Sequence, residues 1–274
     1  MSPVQDSASY PLPSADRHSE ESARLAHQFE VLQEFIGGLT FAPLETIQPK
    51  EILELGSGTG AWAALAADTY PNAQVLAVDL VELPERSKRL NLKFERFDLR
   101  KPLPWQPESF DVVHSRLTIM HISNGKDVLL RVLPLLKPGG ILILEDTVSA
   151  IQPNHDMKRT PGMATFWRNF EREIRNKGVD PELPLSYTQI LEDSGLFDEV
   201  HSRKEFCNFS TAHLDTPLGR VSAMGAQSFQ IGPLRHYPGT TPELTAQIIE
   251  EMADPALNET FGYDFHFFWA RRKA

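Results

Sequence analysis

The stretch that most restricts what this chain can fold into is residues 52–60, ILELGSGTG, where an apolar run, an acidic residue and three glycines occupy nine positions. Ile52, Leu53 and Leu55 read as a short buried strand. Gly56, Gly58 and Gly60 allow positive φ or close backbone approach where a side chain would clash. The pattern predicts a helix from Gly60 to about Tyr70, with its free N–H groups and positive dipole end aimed back at the turn. Such a strand, turn and helix suit the polar end of a nucleoside-bearing ligand.

The glycine spacing separates this turn from two others. A dinucleotide fingerprint is G-x-G-x-x-G, and a phosphate P-loop needs G-x-x-x-x-G-K followed by Ser or Thr. Here the order is G-x-G-x-G, preceded two residues earlier by Glu54, and no lysine follows Gly60. Residues 74–79, QVLAVD, form a β-type run ending in Asp79, 19 positions after Gly60. A carboxylate at the end of a second strand can accept both hydroxyls of a ribose; the plainer reading of Asp79 is a solvated turn residue before a helix starting near Leu80. Residues 92–97 read as a third strand ending in Asp98 and Leu99, and residues 110–114, FDVVH, as a strand at the middle of a sheet. Residues 133–146, LPLLKPGGILILED, give a helix end, a Pro138-Gly139 type II turn and a fifth buried strand.

The acidic-x-G-x-G-x-G turn, followed by these elements over about a hundred residues, resembles motif I and the order of the class I S-adenosylmethionine (SAM) methyltransferases. The resemblance implies an α/β fold, a Rossmann-like seven-stranded, mostly parallel sheet with an antiparallel last strand and helices on both faces. It implies SAM as cofactor, with S-adenosylhomocysteine as product. Glu54, Gly56, Ser57, Gly58, Gly60 and Trp62 are then expected around the methionine part of the cofactor. Asp79 and Leu80 are expected at the ribose, Asp98 at the adenine amino group, the Leu99 backbone at a ring nitrogen, and Ser115 and Arg116 beside the cofactor. Tyr10-Pro-Leu-Pro, then Glu21-x-x-Arg24-Leu25 and Gln28, resemble the N-terminal signature of the LaeA-like methyltransferases of fungal secondary metabolism. In those proteins a tyrosine and a helix close over the SAM pocket, which places Tyr10 and Arg24 at the cofactor. The spacer is longer here, and Gln28-Phe29 stands where that family usually has Gln-His.

Composition narrows the rest. A chain of 274 residues with 41% apolar residues can bury a substantial core, and no run approaches the roughly 20 apolar residues of a membrane span. The net charge of −10 repels a phosphate backbone and argues against nucleic acid as a general partner. Cys207 is the single cysteine, which excludes an intrachain disulfide or a cysteine metal cluster; no metal site is expected. The first residues lack the basic start and apolar core of a secretory signal, so a cytoplasmic location is the default expectation. Residues 1–18 are expected to be extended. A helix is predicted from Ser19 as N-cap, with Leu25, Phe29, Leu32 and Ile36 on one stripe before Gly37-Gly38. Residues 1–40 are thus assigned to an extension and cofactor-covering helix, and 41–274 to the methyltransferase domain.

Helices are also predicted over residues 126–136, 157–177, 187–194 and 242–252, and strands over 199–206 and 263–271. The last two strands are expected to form an antiparallel pair. Residues 207–255 are assigned to a substrate lid. Trp105 reads either as a pocket wall or as a core residue. The same two readings apply to the aromatics Phe166, Trp167 and Phe170.

Direct displacement at a positively charged sulfur needs mainly alignment and desolvation, optionally with a base. The candidates for proton removal are Glu145 and Asp146 at the end of the fifth strand, with His121 and His155 nearby. His121 is expected to begin a helix, where the plainer reading is a structural histidine and the sharper one a base. The implied function is methyl transfer to a small-molecule acceptor through an O, N or S nucleophile, in fungal secondary metabolism. The alternatives are a methyltransferase-fold cyclase, or a regulator of secondary metabolism that binds SAM without methylating a small molecule. A nicotinamide dehydrogenase is disfavoured by the glycine spacing.

Overall fold

Glu51–Leu55 (β1) lies inside the sheet. It pairs in parallel with Gln74–Asp79 (β2) on one side and Phe110–Arg116 (β4) on the other. The computed structural model describes residues 15–81, 89–148, 158–231, 234, 237, 239–258 and 262–274. Leu92–Arg96 (β3) extends the sheet beyond β2, and Leu136–Thr147 (β5) pairs in parallel with β4. Gly262–Arg272 (β7) runs antiparallel between β5 and Phe197–Asn208 (β6), giving the order β3-β2-β1-β4-β5-β7-β6. Residues 141–146 are buried at every position because both faces of β5 are covered. The edge strand β6 carries exposed charged residues, which discourage further pairing.

The turn at 137–140 lies within β5. Leu136 pairs with Phe110 and Ile141 with Val112, so four residues face Asp111 alone. The Asp111 carboxylate secures this bulge by accepting the Lys50 and Glu51 N–H groups at 2.8 Å and the Lys137 ammonium at 3.0 Å.

On one face, Ala61–Thr69 (α2) presents Trp62, Ala63, Ala66 and Ala67 to Ile52, Val112, Ile141 and Ile143. On the other, Gly125–Val132 (α3) and Tyr187–Asp193 (α5) cover Leu53, Leu55, Val113, Leu142 and Leu144. The helix expected to run to residue 136 ends at Val132 and tightens into a 3₁₀ turn over Leu133–Leu135. Pro134 there lacks an N–H to continue the ladder. Trp105 packs on Phe97 and Phe110 at the margin of this core.

β1, β2, β4, β5 and β6 all end at one edge of the sheet, and β7 starts there. The chain leaves this edge after β5 toward Pro161–Asn176 (α4). It leaves again after β6 through Pro217–Ile231 (α6) and Pro242–Ala253 (α7). These three helices share a core of Met163, Phe166, Phe229, Ile248 and Met252. Glu251 of α7 accepts the Gly162 and Met163 N–H groups at 2.7 and 2.8 Å, satisfying donors that the start of α4 leaves open. Ala15–Ile36 (α1) starts four residues before Ser19, so Ser19 lies inside the helix rather than capping it. Val31, Leu32 and Ile36 pack on Val221 and Met224 of α6 and on Phe265 and Phe267 of β7. Arg220 of α6 reaches Glu34 of α1 at 2.9 Å. Among the described residues no helix is long and apolar enough to cross a membrane.

Candidate active site

The glycine turn joins the ends of β1 and β2. Gly56 and Ser57 donate their N–H groups to the Val78 carbonyl at 2.8 and 3.0 Å. Gly56, Gly58 and Gly60 sit at φ +70°, +55° and +73°. A methyl group on Gly56 would fall 2.2 Å from Thr118 Oγ1, so the chain just after β4 braces the turn at a distance only glycine permits. A methyl on Gly58 would find only Leu25 of α1, at 3.5 Å, which leaves the crest of the turn open under the helix. Asp79 accepts the Gly58 N–H at 2.8 Å through Oδ2 and the Val81 N–H at 3.0 Å through Oδ1. It is therefore built into the turn from the end of β2, and Leu80 beside it is half-buried.

Beneath the turn lies a row of buried charged groups. Glu54 is 4% exposed, His114 0% and Glu145 1%. Glu54 Oε1 is 3.8 Å from His114 Nδ1, and His114 Nε2 is 3.6 Å from Glu145 Oε2. Arg116 donates from Nε to Glu145 and from Nη2 to the Leu39 carbonyl at 3.2 Å. Strand register makes this row: Glu54 faces His114 across β1 and β4, and Arg116 faces Glu145 across β4 and β5. Burial raises Glu54 to about 8, opposed by the Arg116 charge and an N–H bond from Ala63 near the start of α2. Burial lowers His114 to about 4 and so keeps it neutral. Glu145 is held down at about 2 because, against its burial, the Arg116 guanidinium favours its charged form. Arg116 thus serves Glu145 and leaves Glu54 without a counter-ion of its own.

The chain after β4 is pinned. Leu117 holds φ at +50°, a strained value for a branched side chain. It is kept there by its N–H bond to the Glu145 carbonyl at 2.7 Å and by the Thr118 N–H bond to Asp146 Oδ1 at 3.1 Å. The other oxygen of Asp146 accepts the Tyr187 hydroxyl at 2.5 Å. Burial raises Asp146 to about 7, with the Tyr187 bond opposing.

Two of the proton-removal candidates are enclosed by these surroundings. Glu145 is bonded to Arg116 and Asp146 to Tyr187 and Thr118, both fully enclosed, so they brace the site instead of facing an acceptor. His121 is exposed, and it closes the 3₁₀ turn Ile119–His121 instead of opening a helix. Crowding by the surrounding protein and then the Arg24 cation hold its imidazole below the ordinary value, at about 4. Arg24 itself is bonded to Glu21 at 2.6 and 2.8 Å. Trp62 is 3% exposed, stacks on His114 at 3.7 Å and donates to the Leu39 carbonyl at 2.9 Å. That indole supports the row from within the core and turns no open face to a ligand. Asp98 pairs with Arg100 at 2.8 Å, the Leu99 carbonyl accepts from Arg131 at 2.9 Å, and Ser115 is buried with its hydroxyl unpartnered. Tyr10 and His155 lie outside the described residues.

The structure thus brings Glu54, the turn, Asp79, Ser115 and Arg116 to one sheet edge. His114, Thr118 and Tyr187 were missed from sequence. For His114 a signal existed, since alternation along FDVVHSR puts it and Arg116 on the face of buried Val112.

A family model described as a methyltransferase domain matches residues 25–198. Methyltransferase str3 of Strobilurus tenacellus is 34% identical, over 73% of this chain and 72% of its own. The secondary metabolism regulator laeA of Aspergillus niger is 26% identical over 96% of this chain and 72% of its own. Phosphoethanolamine N-methyltransferase 2 of Haemonchus contortus, solved in complex with S-adenosyl-L-methionine, superposes with a TM-score of 0.53 at 16% identity. That is a likeness of fold, covering 90% of this chain, which spans about half the length of the other. With a matched family model across most of its length and the sheet order to go with it, the chain belongs to the methyltransferase-domain family.

Proposed function

We propose that the chain is a SAM-dependent methyltransferase acting on a small-molecule acceptor in fungal secondary metabolism. The observation that carries the reading is the turn. Its crest at Gly58 is open, Asp79 lies against it, and Glu54 lies beneath it with Oε2 unpartnered. Two carboxylates with no lysine or arginine in the turn itself suit a cationic ligand and oppose a phosphate, which fits the ammonium and sulfonium of SAM. Glu54 and the turn would hold the methionine part, Asp79 the ribose and the 98–99 segment the adenine. When bound, the cofactor supplies a methyl group on a positively charged leaving atom. The protein's share is then alignment and exclusion of water, which can lower a barrier by roughly 7 to 11 kcal/mol. The chain segments at the same sheet edge, α4, α6 and α7, would enclose the acceptor, and among the described candidates His121 is the exposed one that could take its proton.

Calorimetric titration with SAM tests the cofactor. The informative variant is Asp79→Asn, because alanine would also remove both bonds that hold the turn. Loss of one charge-assisted bond, about 1.5 to 3 kcal/mol, should weaken SAM binding about tenfold or more in a folded protein. Undiminished affinity would sink the ribose assignment. The likeness to laeA proteins supports a second reading as a regulator. Labelled-methyl transfer into metabolite extracts, with none into proteins, would decide for the enzyme.

A further inference from the structure

Glu54 sits in an unusual electrical position. It is almost wholly buried, its Oε2 has no donor, and the nearest cation, Arg116, is already bonded to Glu145 and the Leu39 carbonyl. The groups facing it are His114 from β4, Asp79 from β2, and the Ala63 N–H from α2, with Glu145 of β5 beyond the imidazole. Two carboxylates therefore share one guanidinium across a neutral ring. A buried carboxylate without a counter-ion is held as the neutral acid.

We propose that Glu54, backed by His114, is a proton-linked charge switch. It stands protonated while the turn holds no cation, and releases its proton to solvent when a cationic ligand settles against the turn. The exchange balances: the O–H bond of Glu54 breaks, its electron pair stays on the carboxylate, the proton carries one positive charge to solvent, and the row with its cation has the net charge of the empty row. His114 acts as a positioning residue. Stacked flat on Trp62, it keeps Glu54 and Glu145 on opposite sides of its ring so that only Glu145 captures Arg116. This direction agrees with the burial-driven rise of Glu54 and the suppressed protonation of His114. The inference rests on the SAM reading and goes beyond it, since binding alone requires no proton.

The experiment is calorimetric titration of SAM into the full chain at pH 6.5, in buffers of different ionisation enthalpy. At that pH the ligand's α-amino group, near 7.7–8.0 in its ordinary range, is already charged and adds few protons of its own. About one proton should be released per SAM bound at this pH, and the count should fall as pH rises past about 8, where Glu54 is already ionised in the free protein and the ligand's amino group takes a proton up. In Glu54→Gln the release should disappear. SAM binding to the wild type with no proton released from pH 6 to 8 would overturn the switch and leave the cofactor assignment standing. Release unchanged in a folded Glu54→Gln would overturn it too, by placing the proton elsewhere. No SAM binding to the wild type would overturn the cofactor reading, and the switch with it. Should Glu54→Gln fail to fold, the wild-type proton count against pH decides alone.

Discussion

His121 and His114 are seven residues apart and have opposite surroundings. His114 is sealed between Trp62 and two carboxylates, whereas His121 meets solvent beside Arg24. A neutral imidazole exposed to solvent can accept a proton, and a general base of this kind typically contributes about 10²- to 10⁴-fold. With any acceptor that takes up labelled methyl, His121→Asn should lower kcat by about 10²-fold or more and leave SAM affinity unchanged. An undiminished kcat would mean that the acceptor loses its proton without this residue. The carboxylates that seemed equally eligible from sequence, Glu145 and Asp146, differ from His121 through contacts made by distant residues. Arg116 is 29 positions from Glu145 and Tyr187 is 41 from Asp146.

Among the elements, α1 ties the two halves of the site together. Its Leu25 stands over Gly58, while Val31, Leu32 and Ile36 are held by α6 and β7. Leu32 is 0% exposed, so Leu32→Ala should destabilise the protein by about 2–5 kcal/mol in urea unfolding. A change below about 1 kcal/mol would show that α1 is not part of the cooperative unit. Most elements were legible because their signals are local. The run QVLAVD became β2 with the bounds its residues suggest, and the Pro138-Gly139 pair made its turn with Gly139 at φ +76°. The start of α1 was misjudged, since Ser19 has the chemistry of an N-cap yet lies four residues inside the helix. The row Glu54, His114, Glu145 and Arg116 was not legible, because it exists only through the register of three strands that are separate in sequence.

For the whole molecule, the same row sets a response to pH. Glu54 and Asp146 are raised to about 8 and about 7, so their stabilising share is present at low pH and is lost as pH rises through those values. His114, lowered to about 4, works on the other side: its share is present above 6.5 and is lost as pH falls toward 4. Below pH 6.5 these shares oppose one another, and above it only the loss from Glu54 and Asp146 remains, so stability should decline as pH rises from about 6.5 to 8. Between pH 6 and 9 the wild type should lose about 1 kcal/mol or more relative to Glu54→Gln. Parallel Tm curves for the two proteins would contradict this.

The antiparallel seventh strand has one more consequence. Asn208 and Gly262 are partners on the same ladder, so the segment between them departs from and rejoins the sheet at a single rung. Such an excursion imposes no span on its contents, and closing a longer or shorter one changes the free energy only slowly with length. The helices α6 and α7 thus form an exchangeable cassette. Another segment spliced at this rung would meet the same sheet edge and the same glycine turn, with the ladder that anchors it intact.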